Sequence, residues 1–319
     1  MLFSRHLPRV LGLGLALSWG LCLAQDRAFD YPINSHRLFL LNLAQSGQRL
    51  VAVGERGVVL LSDDQAASWR SVRTPSTRTL AAVAFDNPQV GVAVGHGGTL
   101  LRTSDGGQSW SPVEADTNGD ALLGVMAVGQ GRMVAWGAFG LYLTSNDAGA
   151  SWERRSVVDE SFDRHISQIT RLADGRWLLV GESGTLAASA DQGMTWSALQ
   201  SPYPGSFFGV LQTADGALIA YGMRGNLWIS RDNGNAWQKR ETGTTLAFNG
   251  AVQLASGRIL VFGNSGVLMA SDDQGQNFRA LPTTRASLAK ARQLADGRLL
   301  AVGDQGVMII QAQAAGGGE

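Results

Sequence analysis

The side chains best equipped for chemistry are six aspartates that recur in one eight-residue frame. Asp64, Asp105, Asp147, Asp191, Asp232 and Asp273 each stand third in SDDQAASW, TSDGGQSW, SNDAGASW, SADQGMTW, SRDNGNAW and SDDQGQNF. A general acid needs a carboxyl left free to meet substrate. Here the Asp can accept hydrogen bonds from N–H groups of its own tight turn, the Gly two positions later takes a backbone form that a side chain would strain, and the leading Ser or Thr closes the turn. These carboxylates are therefore read as structural. His36, His96 and His165 lack metal-ligand spacing, and no Gly-x-x-x-x-Gly-Lys or Gly-x-Ser-x-Gly occurs. Glu182 near Tyr203 is one candidate acid and nucleophile pair for glycoside cleavage, but that reaction also needs an organised sugar subsite. No catalytic residue, metal or cofactor is assigned. What remains suits recognition. Arg56, Arg78, Arg164, Arg224 and Arg285 carry planar guanidinium forks that match carboxylates and peptide groups. The connection SPYPGSFFG, Ser201 to Gly209, gathers Tyr203, Phe207 and Phe208 as an aromatic contact for a partner. Phe139 and Glu182 complete the candidate partner-binding set. The blander alternatives are that Phe207 or Phe208 caps the core and that the arginines are scattered solvated charges.

The frame around these residues is a repeat. The eight-residue pattern, Ser/Thr-x-Asp-x-Gly-x-x-Trp, is the Asp box. A second element precedes each copy: Gly-x-x-Gly between two apolar runs, beginning at Gly54, Gly95, Gly137, Gly181, Gly222, Gly263 and Gly303, with steps of 40 to 44 residues. A period near 40 with strand-like content is the signature of a β-propeller. The fifth unit breaks into Phe207 to Thr213, Ala217 to Tyr221, Asn226 to Ser230 and a fourth strand opened by Trp237. Second strands such as VAVG, Val51 to Gly54, are apolar throughout, so both faces should be buried between blades. The expected fold is an all-β, seven-bladed β-propeller over residues 25–311. The seventh unit lacks an Asp box and fourth strand, and Phe29 to Ile33 sits where that strand should be. It is predicted to complete the last blade and close the ring. The topology then sorts residues onto two ends: Asp boxes on one, Gly-x-x-Gly turns and blade-to-blade connections on the other. The second end varies in sequence from unit to unit, as a recognition surface would.

The totals agree with many short strands joined by tight turns. The chain has 319 residues and 41 glycines, with Lys239 and Lys290 as its two lysines. A formal charge of zero gives no electrostatic grip on nucleic acid or an anionic membrane. Arg5 and Arg9 followed by the apolar run Val10 to Leu23 read as an export signal, residues 1–24, too short to span a bilayer. The alternative for Cys22, a lipidated cysteine, meets a bulky Leu21 where a small residue is wanted. Cleavage after Ala24 removes the one Cys, so no disulfide is expected. The expected destination is the periplasm, as a monomer without membrane insertion, and residues 312–319 read as a disordered tail.

Asp boxes are shared by sialidases, the sortilin group and some xyloglucanases. The longer repeat AVG-x-x-G-x-LL-x-S-x-D-x-G-x-x-W in an exported chain resembles the photosystem II stability and assembly factor family. The likeness covers Phe29 to Gln311. It implies a non-enzymatic propeller that binds a membrane-protein subunit during assembly through an arginine-bearing face, at positions matching Arg56, Arg78 and Arg224. Relatives in non-photosynthetic bacteria are associated with RND-type export pumps, so the resemblance also implies a transporter as client. The alternative is a carbohydrate-binding or sialidase-like propeller. Against it, the Arg-Ile-Pro segment of sialidases is absent and their six blades do not match seven repeats.

Overall fold

The computed structural model describes residues 34–35, 37–282 and 285–310. The expected export signal, the closing strand at 29–33, His36 and the tail at 312–319 lie outside the described residues.

The first blade shows how sequence becomes structure. Leu40–Ser46, Arg49–Gly54, Val59–Ser62 and Arg70–Val72 pair in order as one antiparallel sheet. Among the described residues six sheets have four strands in this sequential order and one, containing Leu288–Gln293, Leu299–Gly303 and Gly306–Ile310, has three. The fifth blade keeps its expected strands, except that the outer one is Gln238–Arg240. Trp237 belongs to the turn, because its indole donates back to the Gly234 carbonyl at 3.1 Å.

Second strands are buried along their length, as VAVG at Val51–Gly54 and ILVFG at Ile259–Gly263 show. They pack in seven apolar clusters, one for each junction between neighbouring blades. One of these joins Leu40, Ala52 and Leu60 of the first blade to Leu300, Val302 and Val307 of the last. That contact makes the array a closed ring, and it uses described residues alone. Each fully buried aliphatic side chain in such a cluster contributes roughly 1.5–3 kcal/mol, so the junctions hold the disc together.

Register fixes the two ends. Leu40 pairs with Gly54 and Ser46 with Arg49, so the Gly-x-x-Gly turn lies beside the blade entry and opposite the aspartate turn. The two glycines answer separate crowding. A Cβ on Gly54 would lie 2.1 Å from the Phe39 carbonyl oxygen, where the chain enters the blade. Gly57, at φ +69°, would drive one to 1.9 Å from the Ser76 carbonyl of the outgoing connection. Both the close approach and the left-handed backbone require glycine.

At the other end, the aspartate turns close as a bonded unit. In the third copy the Ser145 hydroxyl donates to Asp147 Oδ1 at 2.8 Å and accepts the Gly149 N–H at 2.9 Å. Asp147 Oδ1 also accepts the Ser151 N–H, and Oδ2 the Ser151 hydroxyl. Two successive residues are left-handed here, Ala148 at φ 56° and Gly149 at 79°. The carbonyl of the first then points outward, where the preceding blade around the ring reaches it. Arg49 donates to the Gly106 carbonyl, Arg102 to Ala148, Arg231 to Gln274 and Arg298 to Gln65. The last of these bonds spans the ring from the seventh blade to the first. These arginines serve cohesion between blades, a role invisible without the fold.

Candidate functional site

The end carrying the Gly-x-x-Gly turns is built on a repeated strained position. The residue before the second glycine is left-handed in six blades: Arg56, Gly97, Phe139, Ser183, Arg224 and Ser265, with φ from 51° to 63°. For a residue with a Cβ this conformation costs roughly 1–2 kcal/mol. It lifts the side chain away from the disc, and Arg56, Phe139 and Arg224 are all exposed. In the second blade the position is Gly97, and the Arg78 guanidinium lies across it; a Cβ there would fall 2.3 Å from Nη1. Arg78 thereby takes the place that Arg56 holds one blade earlier.

The candidate arginines do not form one patch. Arg285 lies in the connection entering the seventh blade, Arg56 in the first, and Arg78 in the connection to the second. With Arg37, just before the first blade and missed in the sequence, they mark one arc of adjoining blades, and all four are exposed. Arg224 lies apart from them on the fifth blade, where Lys239 and Arg240 line the same recess. Arg164 lies across the ring in a connection shared with Asp159, Glu160 and Asp163. Its backbone carbonyl accepts the Gly140 N–H at 2.9 Å, which fastens that connection.

Phe207 is fully buried, so it belongs to the core and not to a contact surface. It pairs with Gly222 at the blade entry and packs beside Leu186, Val210 and Leu218. The Tyr203 ring is half-buried, stacked on Trp228 at 6.3 Å and set edge-on to Phe207 at 5.8 Å. Phe208, one residue on, faces the axis instead. Glu182 is engaged as a cap: Oε2 accepts the His165 N–H at 3.1 Å. The His165 imidazole meets Phe139 edge-to-face at 4.9 Å. Glu55 caps Phe39 and Asp304 caps Ser287 in the same way, at 3.1 and 3.0 Å. A carboxylate straight after the first glycine thus serves the blade entry.

At the axis, the same end opens into a depression of about 750 Å3 lined by Phe39, Leu41, Leu123 and Phe208, with Asn249 and Asp304 among its polar members. Phe39 is 42 % exposed. Among the described residues lining it Asp304 alone is acidic, so these bring no carboxylate pair to the opening as glycoside cleavage would need. Among the described residues no group of three or more His, Cys, Asp or Glu is placed to hold a metal.

Fold and site together define a seven-bladed β-propeller with a bonded scaffold end and a chemically varied end that carries arginines around an apolar mouth. Residues 61–246, more than half of the chain, match the family of the photosynthesis system II assembly factor YCF48, and the chain belongs to that family. Two solved structures with the same fold are YCF48 bound to a D1 peptide and YCF48 from Cyanidioschyzon merolae. The first has 19 % identity and a TM-score of 0.72, covering 86 % of this chain and 93 % of that one. The second has 17 % identity and a TM-score of 0.70, covering 87 % and 96 %. An ancestral GH74 enzyme shares the fold at 14 % identity and a TM-score of 0.68, covering 86 % of this chain but 45 % of its own. No curated protein sequence matches the chain.

Proposed function

We propose that this protein is a non-enzymatic assembly or accessory factor that binds a segment of a membrane protein through the arginine-bearing end of the disc. Family membership carries the reading, since a solved YCF48 structure holds a D1 peptide. The arc of Arg285, Arg37, Arg56 and Arg78 supports it, because guanidinium forks on a broad exposed surface suit carboxylates and peptide carbonyls. The absence of a facing carboxylate pair at the mouth weighs against the sialidase-like alternative. The client is a membrane-protein subunit, with an RND-type transporter as the form expected in a non-photosynthetic host. The working compartment is the periplasm, reached through the signal at residues 1–24, and the working state is a monomer.

Crosslinked affinity purification from membranes tests this. Wild-type protein should retain a defined membrane subunit, and Arg56→Glu with Arg78→Glu should lower its recovery about tenfold or more, as loss of two charge-assisted contacts predicts. Unchanged recovery together with cleavage of an aryl-glycoside would overturn the proposal in favour of the enzyme.

A further inference from the structure

Beneath the mouth the channel continues as a space of about 370 Å3 walled by the inner strands, and its lining includes Asn42, Gln168 and Lys290. The cause lies in cross-strand pairing. Where the second strand offers an aromatic, the facing inner-strand residue is glycine: Gly124 opposite Trp136, Gly209 opposite Tyr221, Gly250 opposite Phe262. A Cβ on Gly124 would fall 2.2 Å from the Trp136 ring. Where the second strand offers valine, the facing position has room for a side chain: Asn42 opposite Val53, Gln168 opposite Val180, Lys290 opposite Val302.

Gln168 is spent on structure, since its Oε1 accepts the Val210 N–H at 3.0 Å and its Nε2 donates to Thr170 Oγ1 at 2.8 Å. Lys290 differs. Its side chain is exposed to the channel space, and among the described residues no Asp or Glu lines that space. The charge that acts on it is another cation, Arg292, two residues along the same strand. Crowding by protein, and then Arg292, hold the ammonium below the usual lysine range. Above it, Leu41, Ala81, Leu123, Phe208 and Ala289 form an apolar collar common to mouth and channel.

We propose that mouth and channel form one binding site for an amphipathic carboxylate, its apolar part in the collar of Leu41, Leu123 and Phe208 and its carboxylate on Lys290. Each of the two spaces falls within the range of small-ligand sites. A cation beneath a largely apolar entry, with Asp304 at the mouth above it, selects a ligand with both characters and disfavours either alone. The carboxylate belongs either to a free monocarboxylic acid or to the end of a polypeptide. The site uses none of the rim arginines, so it stands or falls separately from membrane-protein capture.

Titration calorimetry on the purified protein tests it with octanoate, octan-1-ol, and a short N-acetylated apolar peptide as free acid and as amide. Octanoate or the peptide acid should bind about tenfold or more tightly than its uncharged counterpart, the margin expected of one desolvated charge pair. Lys290→Met should erase that margin, and Lys290→Arg should keep most of it with an unchanged melting curve. Preference for octanoate identifies a free acid as the ligand, and preference confined to the peptide identifies a chain end. Equal binding of acid and uncharged partner by the wild-type protein, or an acid affinity unaltered in Lys290→Met, overturns the proposal.

Discussion

At Ser145 one hydroxyl serves two bonds, giving its hydrogen to Asp147 and receiving that of Gly149. The residue is buried, so its removal leaves the Gly149 N–H without a partner and away from water. Ser145→Ala is expected to cost about 1–3 kcal/mol, the penalty for an orphaned buried donor, read as a lower denaturant midpoint at unchanged m-value. The same bonds act on acidity. The Ser151 hydroxyl, then its N–H, hold the Asp147 carboxyl at a pKa of about 2, and the Thr195 hydroxyl does so for Asp191. A depressed carboxyl contributes stability above its unfolded pKa of about 3.9 and loses it as pH falls toward the folded value. Melting temperature should therefore drop between about pH 4 and pH 2, and replacing these aspartates by Asn should flatten that decline. The hydroxyl donors were legible in outline: position seven of the frame is Ser, Thr or Asn in every copy but the fifth, where it is Ala236.

At the scale of strands, the pairing of glycine with a facing aromatic governs how each blade meets the axis. Gly124→Ala would push a methyl into the Trp136 ring and is expected to destabilise the protein by roughly 1–3 kcal/mol, the usual cost of overpacking. The second blade carries the tolerated combination, Ala82 opposite Val94. Introducing Gly124→Ala into a Trp136→Val background should therefore cost little beyond Trp136→Val itself. The strongly non-additive double-mutant cycle this implies is measurable by denaturant melts. A fully additive cycle would show that the pairing does not set the wall. The alternation of apolar runs gave the strands away in sequence, whereas this complementarity needed the register. Phe207 and Phe208 illustrate the difference: adjacent identical residues, one sealed beneath the blade and the other facing the channel mouth, where the strand's register shifts between Phe207 and Gly209.

For the whole molecule, closure of the ring decides stability. The apolar junction between first and last blades and the Arg298 bond to Gln65 already bridge it. The last sheet has three strands, and its final strand Gly306–Ile310 is met by the start of the described chain: the Val307 N–H donates to the Ser35 carbonyl at 3.0 Å. The expectation from the sequence that residues 29–33 supply the missing strand, and so pair an edge open to another chain, falls on residues outside those described and is open to direct test. Removing residues 26–33 is then expected to lower the melting temperature clearly and to promote self-association, seen by calorimetry and light scattering. Unchanged melting and a monodisperse sample would refute the closing role.

The chain alone determined what depends on local backbone and period: seven units, their tight aspartate turns, and the sorting of turns onto opposite ends. These follow from glycine position, hydrogen-bonding side chains two to four residues from their partners, and alternating burial, all of which are short-range. Only the tertiary structure decided which side chains share space. It divided the five candidate arginines among separate parts of the rim, withdrew Phe207 into the core and gave Glu182 to His165. It also brought Lys290 into a channel walled by residues from Leu41 to Ala289. Those relations join residues as far apart as Leu41 and Lys290, and they exist once the seven blades have packed around a common axis.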